Sequence, residues 1–115
     1  MFIDFERYKK DFFNEDIISK FKGNLEGIVE NDKEKFKAHL YEGSQKESLF
    51  FDEENAQFMF NDLELLEKIS INGREQIRIG VRYAKKHEDG NVENTAITYF
   101  FTMNKEGHWL IENID

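Results

Sequence analysis

The fold of this chain is decided by residues 63–86, LELLEKISINGREQIRIGVRYAKK. Over residues 77–83 apolar side chains alternate with polar ones, a period of two that is typical of a strand with one buried and one solvated face. The pair Asn72-Gly73 lies between two such runs and favours a two-residue hairpin turn, because both turn positions need a positive φ. The stretch therefore predicts two antiparallel strands, residues 63–71 and 75–86, joined by a tight turn.

The residues after this hairpin predict two more strands. A polar loop of residues 88–91 precedes a run from Thr95 to Met103, and a second loop of residues 104–107 precedes residues 108–114. Loops this short join neighbouring antiparallel strands. Together the four runs predict an antiparallel meander.

The chain before residue 62 has the periodicity of helices instead. Apolar residues recur there every three or four positions, as they do along one face of an amphipathic helix. The two sets are Phe5, Tyr8 and Phe12, then Ile17, Phe21, Leu25 and Ile28. The first set predicts an N-terminal helix with Asp4 as its N-cap, and the second predicts a helix capped by Asn14.

The segment between these helices and the sheet carries weaker signals. Asp32 predicts the N-cap of a third helix over residues 33–41. Residues 48–51 predict a short strand. The acidic residues 52–54 suit the positive end of a further short helix through residues 58–59.

These periods divide one domain of 115 residues into three parts. Residues 1–14 are predicted to form an additional N-terminal helix, residues 15–61 the helical half, and residues 62–115 the meander. The predicted fold class is α+β, with N-terminal helices packed on one face of a bent four-stranded antiparallel sheet.

The composition limits the kinds of partner. There are 24 Asp and Glu against 16 Lys and Arg, so the formal net charge is −8. Because such a surface repels phosphates, nucleic acid is not expected as a partner. The chain contains no cysteine, which excludes disulfides, thiolate zinc sites and cysteine nucleophiles. No apolar run approaches the ~20 residues of a membrane span.

The start of the chain bears on its compartment. Asp4 and Glu6 interrupt the region where a secretory leader needs an unbroken apolar stretch. We therefore expect a cytoplasmic protein, or an exported domain if Met1 replaces a removed leader.

Two short stretches resemble a known superfamily. They are IVENDKEKF, residues 28–36, between the second and third predicted helices, and KEGHWLI, residues 105–111, at the start of the last strand. Together with the order of helices and hairpins, these two stretches make about residues 15–115 of the chain similar to the nuclear transport factor 2-like superfamily. The resemblance implies a cystatin-like cone, in which a strongly bent sheet wraps the helices and leaves a pocket at its wide end. Because this superfamily contains isomerases, dehydratases, transport adaptors and domains with no known reaction, the site must decide the function.

The predicted inner face of the sheet carries no base. Its residues are Ile69, Ile71, Ile77, Ile79, Val81, Tyr83, Ile97, Tyr99, Phe101, Met103, Trp109 and Ile111. The resemblance implies that an enzyme would place an Asp or His base on this face, and the set contains neither. We therefore predict no catalytic residue, no metal and no cofactor. The candidate pocket residues are Tyr83, Tyr99, Phe101, Trp109 and, at the mouth of the cone, His39.

The predicted outer face mixes apolar and basic residues. It carries Leu66, Ala84, Ala96, Phe100, Leu110 and Ile114 beside Arg78, Arg82, Thr98, Thr102 and Glu112. Large apolar residues flanked by arginine are typical of a contact surface. The interface candidates are Arg78, Arg82, Phe100 and Leu110. Two interpretations stay open: the N-terminal helix covers this face, or a second copy or another protein does, as in related cone proteins that dimerise through it.

Three functions are compatible with these features. The first is a non-catalytic binding module of the nuclear transport factor 2-like type, which acts by protein contact or by holding a small apolar ligand. The second is an acidic inhibitor or immunity-type protein that neutralises a basic toxin, because complementary charge speeds association. The third is an isomerase or dehydratase-like enzyme that uses Tyr83 or Tyr99 with His39. We predict the first, since the inner face lacks a base and the outer face resembles a contact surface.

Overall fold

The computed structural model describes residues 1–42, 44 and 48–115, and it confirms the α+β class. The helices are α1 (Glu15–Val29), α2 (Lys33–Lys37) and α3 (Ser48–Phe51), and one 3-10 turn (Phe5–Tyr8) precedes them. The strands are β1 (Gln57–Ile71), β2 (Arg74–Lys86), β3 (Val92–Met103) and β4 (Trp109–Ile114), which pair antiparallel in the order β1-β2-β3-β4. None of these helices is long and apolar enough to cross a membrane.

Local side-chain chemistry sets the element ends where the sequence predicted them. The Asn14 side chain accepts a hydrogen bond from the Ile17 amide at 3.2 Å, which caps α1. Asp32 caps α2 in the same way, accepting from the Lys35 amide at 3.1 Å. The β1–β2 turn has φ of 52° at Asn72 and 79° at Gly73, so the predicted hairpin is confirmed.

The prediction of an N-terminal helix over residues 1–14 is wrong. Only one 3-10 turn forms there, because the segment bonds to the sheet rather than to itself. The Phe2 amide donates to the Phe60 carbonyl at 3.0 Å, and the Tyr8 hydroxyl donates to Asp62 at 2.6 Å. Both contacts hold the segment at the edge of β1.

The predictions between α1 and the sheet are also corrected. The third helix ends at Lys37 rather than near Tyr41, because the following residues pair with β4: the Ile111 amide donates to the His39 carbonyl at 2.9 Å. Residues 48–51 form helix α3 rather than a strand. Residues 58–59 belong to β1 rather than to a helix, so the sheet begins at Gln57 rather than at residue 62.

The core lies between the helices and the inner face of the sheet. The apolar positions predicted for α1 are all buried: Ile17, Phe21, Leu25 and Ile28. The Phe21 ring meets the Tyr99 ring of β3 edge-on, with centroids 5.0 Å apart. The fully buried Phe36 of α2 packs against the rings of Phe50 and Phe51 of α3. Aromatic rings from the N-terminal half therefore fill the space above the sheet.

Three bulges decide which residues face this core. Asn61 and Glu64 in β1 and Glu112 in β4 lack cross-strand partners, and each extra residue shifts the alternation of faces by one. Four predicted orientations are reversed. The bulge at Glu112 places Ile114 opposite Tyr99 on the inner face. In β1 the two-residue turn pairs Ile71 with Arg74, and the register then runs unbroken to Leu65. Ile69 and Ile71 therefore lie on the outer face, and Leu66 lies opposite Ile79 on the inner face.

Candidate functional site

The interior of the protein is a packed core in which a short polar chain is enclosed. The Tyr99 hydroxyl donates to Asn24 Oδ1 at 2.5 Å, and Asn24 Nδ2 donates to the Phe36 carbonyl at 2.8 Å. Tyr99 and Phe101 are 0% exposed, and burial raises the pKa of Tyr99 well above its ordinary value of 10.0. Tyr99 is therefore a neutral donor that ties β3 to α1.

Sequence reasoning missed Asn24, although a signal for it was present. Asn24 follows Phe21 by three residues and precedes Ile28 by four, so it lies on the apolar face of α1. A polar side chain on such a face must find buried partners, and these are Tyr99 and Phe36.

The other three pocket candidates are Tyr83, Trp109 and His39, and the first two line different clefts. The half-buried Tyr83 packs its ring against Phe58 and Phe60, and burial raises its pKa. Trp109 lines a cleft of about 170 Å³ beside the β1–β2 turn. Burial, followed by the charge of Lys20, lowers the pKa of His39. Across the described ranges, no hydrogen bond joins His39 to either tyrosine.

A cluster of charged groups links the loop after α3 to the β2–β3 hairpin. His87 Nδ1 lies 2.8 Å from Glu53 Oε1, and His87 Nε2 lies 3.0 Å from Glu93 Oε1. Carboxylates can only accept, so the protonated ring donates to both, and the hydrogen bonds to Glu53 and then Glu93 raise the pKa of His87. The Glu88 amide donates to Glu53 at 2.8 Å, and this bond, followed by that from His87, lowers the pKa of Glu53.

This cluster predicts a stability maximum at mildly acidic pH. The contribution of His87 is complete below its ordinary pKa of 6.5 and is lost as the pH rises through its raised folded-state pKa. The contribution of Glu53 is complete above its ordinary pKa of 4.5 and is lost as the pH falls through its lowered pKa. We expect the urea midpoint to fall as the pH rises from 6.5 through the raised pKa of His87, and His87→Gln to reduce that fall. The exposed His108 provides the control: His108→Gln should keep the fall, and an unchanged pH profile in His87→Gln would contradict the prediction.

The outer face of the sheet carries a continuous mixed surface, which we call the outer patch. It consists of Leu65, Ile69, Arg78, Phe100 and Leu110. Arg78 lies between Glu67 of β1 and Phe100 of β3 in the sheet, and its guanidinium is 5.5 Å from the centre of the Phe100 ring. Leu65 is 38% exposed, and the other apolar members are half-buried.

The N-terminal segment does not cover the outer patch. Phe5 packs edge-on against Phe21 of α1, with ring centroids 6.1 Å apart, and Tyr8 is bonded to Asp62 at the β1 edge. The interpretation in which this segment covers Phe100 and Leu110 is therefore corrected. Three of the predicted interface residues, Arg78, Phe100 and Leu110, come together in the patch.

Arg82, the fourth interface candidate, lies outside the outer patch. It follows Arg78 by four residues on β2, about 13 Å along the strand at ~3.3 Å per residue. It lines a separate cleft with the two bulged residues of β1, Asn61 and Glu64. In the described part of the chain, no three His, Asp or Glu side chains are grouped so as to hold a metal ion.

Comparison with known proteins finds likeness in fold but not in sequence. No protein-family model and no curated protein matches this chain. A structure from Catenulispora acidiphila matches with a TM-score of 0.56 and 8% identity, over 86% of this chain and 86% of that one. A second structure from Catenulispora acidiphila, in complex with S-DNPA, matches with a TM-score of 0.56 and 9% identity, over 87% of this chain and 88% of that one. At these identities the likeness shows the fold alone, and it is compatible with a small cone-like α+β fold.

Proposed function

We propose that this protein is a non-catalytic binding module of the nuclear transport factor 2-like type, which acts by protein contact and pairs with a second copy of itself through the outer patch. The observation that carries the proposal is Arg78, which lies between Glu67 and the ring of Phe100 on the outer face, with Leu65, 38% exposed, two residues before Glu67 on the same face. A central arginine among apolar side chains is the composition of an interface core.

The charge distribution supports a second copy as the occupant. Two chains of net charge −8 repel each other over most of their surfaces. Within and beside the outer patch the charges are paired, because Arg78 lies 3.9 Å from Glu67 and Arg74 lies 3.4 Å from Glu112. A second copy therefore meets the least repulsion at this face, whereas a basic partner would gain more from the acidic remainder of the surface.

The packed interior favours protein contact over two other functions, the holding of a ligand inside the cone and catalysis. A ligand inside the cone needs an opening between the helices and the sheet, and Tyr99, Phe101 and Phe36 are 0% exposed there. An enzyme of the isomerase kind needs a base beside its tyrosine, and the partner of Tyr99 is the amide of Asn24. One fold neighbour holds S-DNPA, so ligand holding is the alternative that the experiment must separate.

The solution mass of the protein tests the proposal. Sedimentation equilibrium over about a hundredfold range of concentration should show the mass rise from 13.8 kDa towards twice that value. Phe100→Glu should hold the mass at that of the monomer, because it introduces an unpaired charge at the contact. Val92→Glu, on the same strand but about 26 Å away at ~3.3 Å per residue, is the matched control and should still dimerise.

Two outcomes would contradict self-association. They are a monomer at every concentration, or a dimer that persists in a Phe100→Glu variant whose circular dichroism shows a native fold. A monomer whose melting temperature rises with an apolar small molecule would support the ligand-holding alternative instead.

A further inference from the structure

The two bulges of β1 border a polar cleft beside Arg82. We propose that this cleft binds a small monocarboxylate that carries a hydrogen-bond donor, an amino or hydroxyl group, next to its carboxylate. The cleft, which we call the bulge cleft, has a volume of about 360 Å³. Its lining includes Asn61, Glu64, Arg82, Asn94, Thr95 and Ala96. This volume lies at the lower end of the range for small-molecule sites.

The guanidinium of Arg82 is the group that would hold the carboxylate. Arg74 and Arg78, the other arginines on the outer face of β2, each lie within ion-pair distance of a glutamate. Among the residues that the structure describes, Arg82 has no ion pair and no side-chain hydrogen bond. An unpaired guanidinium in a chain with 24 acidic residues has its fork of donors free for a planar carboxylate.

Within the described residues, Arg82 makes no ion pair with the carboxylate opposite it. Asp62 lies opposite Arg82 in the sheet, and its Oδ1 accepts from the Tyr8 hydroxyl at 2.6 Å and from the Leu63 amide at 2.8 Å. These two bonds orient the Asp62 carboxylate towards the N-terminal segment and its own backbone. Arg82 therefore lines the cleft without a carboxylate bound to it.

The bulges bring two polar side chains to the cleft. Asn61 and Glu64 are the two residues of β1 without cross-strand partners, and both line the cleft. Bulges re-aim side chains in this way and are common beside binding sites. Two bulges within four residues therefore place an amide and a carboxylate beside Arg82.

The set of groups selects the ligand class. Arg82 prefers an anion with planar acceptor oxygens. Glu64 in the same cleft repels a phosphate dianion and accepts a hydrogen bond from an amino or hydroxyl group. Asn61 and Asn94 can each donate and accept. A short amino acid or hydroxy acid satisfies all four side chains, whereas a simple fatty acid leaves Glu64 without a donor.

The inference is independent of the proposed self-association. The outer patch is centred on Arg78, four residues from Arg82, and neither Phe100 nor Leu110 lines the bulge cleft. A monomeric protein would carry the same cleft, so the two proposals fail separately.

The test uses four probes. Three of them share the same three-carbon skeleton, and the fourth is inorganic phosphate. The full chain, labelled with ¹⁵N, is titrated at constant ionic strength with L-alanine, L-lactate, propionate and phosphate, and the amide shifts are followed. We expect L-alanine or L-lactate to move the amides of residues 61–64, 82 and 94–96. We expect propionate and phosphate to bind at least about fivefold more weakly, because propionate lacks the hydrogen-bond donor for Glu64 and phosphate is repelled by the Glu64 carboxylate.

Variants separate a built site from general anion attraction. Arg82→Gln should abolish the shifts, whereas Arg74→Gln on the same strand should retain them, because Arg74 is already paired with Glu112. Glu64→Ala should remove the preference for L-alanine or L-lactate over propionate. The proposal is overturned by equal binding of propionate, by tighter binding of phosphate, by shifts that survive Arg82→Gln, or by no shift with any probe.

Discussion

Gly27→Ala is expected to lower the free energy of unfolding by about 2–3 kcal/mol, because α1 and α2 touch at this residue without room for a methyl group. A Cβ at Gly27 would lie 2.6 Å from the Phe36 nitrogen, 2.9 Å from the Phe36 Cα and 3.0 Å from the Asp32 carbonyl oxygen. All three are backbone atoms, so relief requires the two helices to separate rather than a side chain to rotate. The separation would disturb Phe36, which is fully buried.

Gly23→Ala is the matched control, one helical turn earlier on α1. Nothing lies within 4 Å of a Cβ at this position. Alanine in place of glycine inside a helix should therefore raise the free energy of unfolding by about 0.5–1 kcal/mol. Urea denaturation of the two variants should give changes of opposite sign, and a loss in Gly23→Ala as large as that in Gly27→Ala would refute a clash at Gly27.

The parts of the fold that were predictable are those fixed by neighbours in sequence. Asn72 and Gly73 encode their own turn, because only such residues adopt a positive φ at low cost. Asn14 and Asp32 likewise cap helices that begin at the next residue. These signals are complete within a few residues, so the order of helices and hairpins follows from the sequence.

The errors arose where distant segments compete for the same backbone. Residues 1–14 have a helical period, but the Phe2 amide bonds to Phe60 and the Tyr8 hydroxyl to Asp62, which lie more than fifty residues away. The bulges at Asn61, Glu64 and Glu112 have no sequence signature of their own, and each shifts the alternation of faces by one residue. The prediction for Ile114 failed because of the bulge in β4, whereas those for Ile69 and Ile71 failed because the turn pairs Ile71 with Arg74.

The candidate surfaces also divide into predictable and unpredictable parts. Arg78 and Phe100 were predictable as outer-face residues because β2 and β3 pair without a bulge. Leu65 and Ile69 lie on the outer face because the two-residue turn pairs Ile71 with Arg74 and the register runs unbroken from there to Leu65, a pairing that alternation along β1 alone does not supply. The bulge cleft was missed as a site because the bulges at Asn61 and Glu64 have no sequence signature, although Arg82 itself was predicted to face outwards.

Asn24→Leu is expected to cost about 3 kcal/mol of folding free energy, the largest effect that we predict. Leucine has the same number of side-chain heavy atoms and the same branching as asparagine, so it leaves no cavity, and the main loss comes from the two groups that it leaves without a partner. The Tyr99 hydroxyl and the Phe36 carbonyl both depend on Asn24, and each buried polar group without a partner costs about 1–3 kcal/mol. Urea denaturation of the single variant measures this loss directly.

Adding Tyr99→Phe to Asn24→Leu should restore about 1–2 kcal/mol, because it removes one of the two stranded groups. Tyr99→Phe alone should be destabilising, since it leaves Asn24 Oδ1 without its donor in a site that is 1% exposed. Tyr83→Phe is the control, because the Tyr83 hydroxyl makes no hydrogen bond to any described residue, and its effect should stay within about 0.5 kcal/mol. Losses that simply add in the double variant would show that Tyr99 and Asn24 do not act as a bonded pair. The attachment of β3 to α1 and α2 would then depend on the packing of Phe21 and Phe36 alone.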